Sequence, residues 1–213
     1  MAGVPGAIFK QWKKFKEVNL GMSIDGIYEH FEYIRYPGKW NTAYKNMKRI
    51  DNNEFTNLKA SVTMTVSIMN VLHLLDMQWW MREQNWNTID SNIIVHNLYG
   101  PDYLNTQNIP KSMKSYITNR YRKFYVDIRK KWPDDNAWLS LTETRLEAVL
   151  THMNSVEDDP SQWKTFFASG KKLDEIRKEN WKESLEDIYK MVQFCTAKEM
   201  RKKDVKLATT GKR

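Results

Sequence analysis

The stretch SIDGIYEHFEYIRYPGKW, residues 23–40, opens as the end of a β-strand and closes as the start of a helix. Between those ends it gathers a hydroxyl (Ser23), a carboxylate (Asp25), an arginine (Arg35) and the rings of Tyr28, Phe31, Tyr33 and Tyr36. Upstream, Val18, Leu20, Met22 and Ile24 alternate with Asn19, Gly21, Ser23 and Asp25, the period of two that marks a strand with one apolar and one polar face. Downstream, Pro37 and Gly38 lead into Trp40, Tyr44 and Met47, a stripe at helical spacing that runs to about Arg49.

The same alternation returns in LKASVTMTVS. Here Leu58, Ala60, Val62, Met64 and Val66 face one way, and Ser61, Thr63, Thr65 and Ser67 the other. Ile68, Leu72, Leu75 and Trp79 then form a helical stripe, and SNIIVHNLY supplies a third strand with Asn92 and His96 on a common side. Phe9, Trp12 and Phe15 predict a short opening helix. Strand and helix thus alternate, which predicts an α/β fold of three parallel strands joined by right-handed crossovers. Hydroxyl-rich faces are unusual in such a sheet, because parallel strands are normally buried on both sides. Two readings follow: an antiparallel sheet turning one face to solvent, or a polar interior that holds a ligand.

Nine Trp, 13% aromatic and 28% charged residues describe a folded domain among the 213 residues, and not a disordered chain. No apolar run approaches the roughly 20 residues of a membrane span, and the N-terminus lacks a signal-peptide pattern, so a cytoplasmic protein is expected. Cys195 is the only cysteine, which excludes an intrachain disulfide and a thiolate cluster. Of the net charge of +8, residues 1–110 contribute +1 and residues 111–213 contribute +7. The turn-rich YGPDYLNTQNIP falls at that change, so the expected regions are an α/β part over 1–110 and a helical part over 111–213.

In parallel α/β folds ligands bind beyond the C-terminal strand ends. Ser23 and Asp25 end the first strand, Thr65 and Ser67 the second, His96 and Asn97 the third. Hydroxyls there can bond to a ribose, and Arg35 can grip a carboxylate through two parallel bonds. Each residue alone fits an ordinary turn or surface ion pair equally well.

The segment MSIDGIYEHFEYIRYPGKWNTAYKNMKRI resembles the radical S-adenosylmethionine enzymes, in the branch whose barrel is followed by a helical, twitch-like extension. VTMTVSIMNVLHL is similar to that family's fifth barrel strand and helix, and KKLDEIRKENWKESLEDIYKM to its Leu-Asp-x-x-Arg segment. The resemblance covers roughly residues 17–192. It implies the second half of a partial TIM-like barrel followed by a helical extension, with Ser23, Arg35, Thr65, Ser67 and His96 facing S-adenosylmethionine and Asp25 as a weak catalytic candidate. The family's Cys-x-x-x-Cys-x-x-Cys motif for a 4Fe-4S cluster does not occur here, and neither do the first three strands nor the Gly-Gly-Glu element. The resemblance therefore implies either a chain that has lost the cluster and kept only a binding scaffold or, as the preferred expectation, the C-terminal portion of an enzyme whose Cys-bearing N-terminal half is a separate or missing segment, acting on a peptide or small molecule.

Beyond residue 110, Met113, Ile117, Tyr121, Phe124 and Ile128 predict an amphipathic helix to about Lys131. Further apolar stripes run through Trp138, Leu141, Leu146 and Val149, through Trp163, Phe166, Phe167, Leu173 and Ile176, and through Leu185, Ile188, Met191 and Val192. KSMKSYITNRYRKFYVDIRKKW mixes cations with aromatics as RNA- and single-strand-binding surfaces do, which gives the alternative function. The shared stripe favours those rings as core. His30, His73, His96 and His152 show no metal-ligand spacing, and no phosphate loop or nucleophile elbow appears.

Overall fold

The computed structural model describes residues 6–52 and 56–210. The chain opens with helix α1 (Gly6–Trp12) and strand β1 (Val18–Ser23). Helices α2 (Tyr28–Ile34) and α3 (Trp40–Asp51) lead to strand β2 (Leu58–Val66), and α4 (His73–Glu83) leads to β3 (Ile94–Asn97). The strands form one sheet in the order β1-β2-β3, and both pairings are parallel. Sequential order combined with right-handed crossovers puts the connecting helices on a single face.

Burial follows directly from that one-sided winding. Met22 and the β2 residues Leu58, Ala60, Val62, Met64 and Val66 are buried under the helices, whereas Asn19, Gly21, Ser23 and Lys59 are exposed and Ser61, Thr63 and Thr65 partly so. The strands are parallel, yet their polar face is uncovered, so the antiparallel reading is corrected while its solvent-facing side survives. An α/β layer is established.

There are two local departures from the sequence pattern. The residues between Ser23 and Trp40 contain α2, a helix that the strand and helix patterns on either side do not announce, in which His30, Phe31 and Tyr33 bury together. Glu32 of this helix caps the next one: its carboxylate accepts Trp40 N–H at 3.0 Å and meets Lys39 Nζ at 2.8 Å. The helix after β2 starts at His73 and not at Ile68, because residues 67–70 form a turn in which Asn70 Oδ1 accepts Ser67 N–H at 2.8 Å.

After two 3-10 turns (Asp102–Leu104 and Thr106–Asn108), the chain is helical: α5 (Lys111–Lys131), α6 (Asn136–Asn154), α7 (Pro160–Arg177), α8 (Trp181–Ser184) and α9 (Glu186–Thr210). All five residues of the α5 stripe are buried, and Tyr121 Oη donates to Val71 O at 2.6 Å, bolting α5 to the segment that precedes α4. Leu141 and Ile176 depart from their stripes, being 39% and 77% exposed. Phe15 lies beyond the end of α1 and is exposed. One apolar cluster runs from Met22 to Cys195, so residues before and after 110 share a core. No helix among the described residues is long and apolar enough to cross a membrane.

Candidate functional site at the strand ends

Parallel pairing dictates which backbone groups β1 leaves open. Val18 N–H bonds to Asn57 O and Ile24 N–H to Thr63 O, so the even-numbered residues address β2. Asn19, Gly21 and Ser23 therefore point their N–H and C=O groups away from β2, at an edge that no described strand pairs. A hollow of about 560 Å³ lies along this edge, lined by Gly21, Ser23, Phe31, Ile34, Arg35 and Tyr36 among others. Ser23 and Arg35 thus line the same hollow.

Asp25 organises the site. Its Oδ1 accepts Thr65 N–H at 2.8 Å and its Oδ2 meets Arg35 Nε at 2.6 Å, tying the ends of β1 and β2 to the residue that follows α2. Asp25 is buried and both of its carboxylate oxygens are engaged, so it acts as a strut between these segments. The Arg35 side chain remains 39% exposed beside the hollow.

Asn70 is the second strut, and sequence reading missed it. Completely buried, it donates from Nδ2 to Asp25 O at 3.0 Å and to Thr65 O at 3.1 Å, so one amide holds both strand ends. Its partner Ser67 is also buried and its Oγ accepts Met69 N–H at 3.2 Å; the strand has ended at Val66, and Ser67 does not continue the open face as expected. Thr65 and His96 are register partners on that face, with His96 exposed. Ser23 pairs with Thr63, so His96 on β3 lies two strands away, about 10 Å across the sheet, and two residues further along it. The structure therefore ties Asp25 to Arg35 and to the Thr65 amide, sets Ser23 and Arg35 along one hollow, turns Ser67 inward, and places His96 on β3 beside Thr65, away from Ser23.

The loop between β1 and α2 is crowded and strained. A Cβ on Gly26 would come within 3.0 Å of His30 Cβ and 3.2 Å of His73 Cδ2, so only glycine fits without displacement. Tyr28 takes φ 53°, a left-handed conformation that costs a bulky residue about 1–3 kcal/mol. Ile27 N–H donates to His73 Nε2 at 3.0 Å. His73 in turn stacks on His30, ring centroids 3.7 Å apart and planes 5° from parallel, and His30 Nε2 lies 2.9 Å from Asp187 Oδ1 on α9. Burial, then the neighbouring His30, pushes the His73 imidazole down to about 3, so this ring is neutral.

His30, His73 and Asp187 place potential metal-ligating atoms close together. The donor chemistry does not fit a metal. Accepting Ile27 N–H at Nε2 requires the neutral His73 ring to carry its proton on Nδ1, where a metal ligand needs a lone pair. Stacked rings also send their in-plane lone pairs along parallel lines and not to one point. No local spacing in the sequence announces this trio, since its members come from α2, α4 and α9.

Comparison with protein-family models, with curated proteins and with solved structures finds no match to this chain.

Proposed function

We propose that the chain is the C-terminal portion of a radical S-adenosylmethionine enzyme, supplying part of the cofactor and substrate pocket and relying on a Cys-bearing N-terminal segment for the rest. The observation that carries this reading is the coincidence of three features at one place: an uncovered hydroxyl-bearing sheet face, an unpaired β1 edge, and the Ser23–Arg35 hollow anchored by Asp25. Sequential parallel strands with helices on one side are also the arrangement of an arc of a barrel, and in such an arc the uncovered polar side of this sheet would face inward. An unpaired edge is ordinarily protected, and pairing with a further strand would protect this one.

The residues present suit S-adenosylmethionine in part. Ser23 offers a hydroxyl to a ribose, and Arg35 a cation to a carboxylate, with Asp25 fixing its direction. They do not suit an iron–sulfur cluster: Cys195 lies buried on α9, and no second thiol exists. No electron-transfer step is therefore assigned to this chain. A nucleic-acid module finds less support, because Tyr121 and Phe124 of the basic helix are buried in the core and cannot stack on bases.

Calorimetric titration with S-adenosylmethionine, on the chain alone and mixed with a Cys-bearing polypeptide encoded upstream, tests the reading. Saturable binding that tightens in the mixture and weakens in Arg35→Ala is expected. Absence of binding in both arms defeats it.

A further inference from the structure

The loop from Asp25 to Tyr28 carries the carboxylate that orients Arg35; Asn70 holds its first residue at Asp25 O, and an imidazole holds its strained part at the Ile27 amide. That imidazole is braced by a second ring and, through it, by the C-terminal helix. We propose that His73 is a proton-sensitive latch on this loop: its neutral ring holds the Ile27 amide and so keeps Asp25 joined to Thr65 and Arg35, while a proton taken up at Nε2 from solvent releases the amide and lets the loop open.

The groups around the ring set the direction. His30 faces it from α2, Asp187 approaches from α9, and Asp76 of α4 lies 4.0 Å from Nδ1 with Arg120 of α5 acting on Asp76 in turn. A protonated His73 would lose the Ile27 bond and sit face to face with His30 in a buried site, so closure and protonation exclude each other. The closed ring titrates at about 3, and a released one near about 6.5. As pH falls below the higher value, the open form gains its proton first, and opening grows about tenfold per pH unit. Tyr28 strain adds to the tendency to open once the latch is lost.

Its effect on binding rests on the reading of the hollow as a ligand site, but the latch itself is measured without ligand. Hydrogen exchange of the full chain between pH 7.5 and 4.5, corrected for intrinsic rates, reads the Ile27 amide, with β2 as internal control. Protection at Ile27 is expected to fall about 100-fold over that range while β2 holds. His73→Gln, whose side-chain carbonyl can accept the same N–H without titrating, should keep protection and flatten the slope. His73→Ala should lose protection at every pH. Equal slopes in the wild type and His73→Gln, or loss of β2 protection in step with Ile27, would overturn the proposal. So would a rise in melting temperature on adding Zn²⁺ at pH 7.5 that His73→Gln abolishes, since the trio would then be a metal site. Failure of S-adenosylmethionine to bind leaves these readouts untouched.

Discussion

Tyr33 donates its hydroxyl hydrogen to Asp174 across 3.1 Å, joining the helix after the first strand to a helix 141 residues later in the chain. Arg177, one turn beyond, donates to Tyr33 O at 3.0 Å, and Asp174 also receives Trp181 N–H at 3.0 Å. Asp174 and Arg177 of the Leu-Asp-Glu-Ile-Arg segment therefore serve as a clasp between the α/β layer and the helical side. Burial, then Asp174, raises the Tyr33 hydroxyl well above its usual range, so it stays a donor at any ordinary pH.

Breaking that clasp should be graded. Tyr33→Phe removes one hydrogen bond and is expected to cost about 1 kcal/mol in urea unfolding, whereas Asp174→Ala also strands Trp181 N–H and should cost about 2–3 kcal/mol. Equal losses for the two variants would mean that Asp174 does no more than receive Tyr33.

Gly26→Ala forces a methyl against His30 and His73 and should destabilise the protein by about 1–3 kcal/mol. Gly100→Ala meets nothing within 4 Å and is the matched control, expected within about 0.5 kcal/mol of wild type in the same thermal melt.

Asn70→Leu keeps the branched shape with somewhat larger methyl ends, removes four hydrogen bonds from a fully buried site and exposes none of their partners to water. A loss of about 3 kcal/mol or more is expected. Amide exchange should accelerate at Ser67, which loses its acceptor. A near-neutral result would show that the strand ends are held by packing alone.

Asp25→Asn retains an acceptor for Thr65 N–H but drops the charge facing Arg35. Stability should fall by about 1 kcal/mol or less, because the Arg35 side of the pair is well exposed. Binding of a carboxylate ligand, measured by calorimetry, should weaken further than stability does, since Arg35 loses the group that aims it. Unchanged binding would separate Asp25 from the site.

Arrangement by period two and period 3.6 made β1, β2, α3 and α5 legible, because each exposes one face and buries the other, and that contrast is written in neighbouring residues. Ile176 and Leu141 followed the same rule and still lie exposed, since an apolar side chain is buried only if another element arrives to cover it. Ser67 misled in the opposite way. Alternation predicts the open face for it, but the strand stops one residue earlier and the hydroxyl turns inward to Met69.

The sequence by itself determined the alternation of strand and helix, the hydroxyl-bearing side of the strands and the helical character beyond residue 110, all local consequences of side-chain spacing, whereas the parallel pairing was decided by the structure. Only the tertiary structure decided that Asp25 is a strut, that Asn70 ties two strands, and that His30, His73 and Asp187 meet. The longest of those contacts, Asp25–Thr65, Asn70–Asp25 and His30–Asp187, span 40, 45 and 157 positions along the chain, and hydrogen bonding at such range depends on where whole elements dock and not on any pattern a stretch of residues can carry.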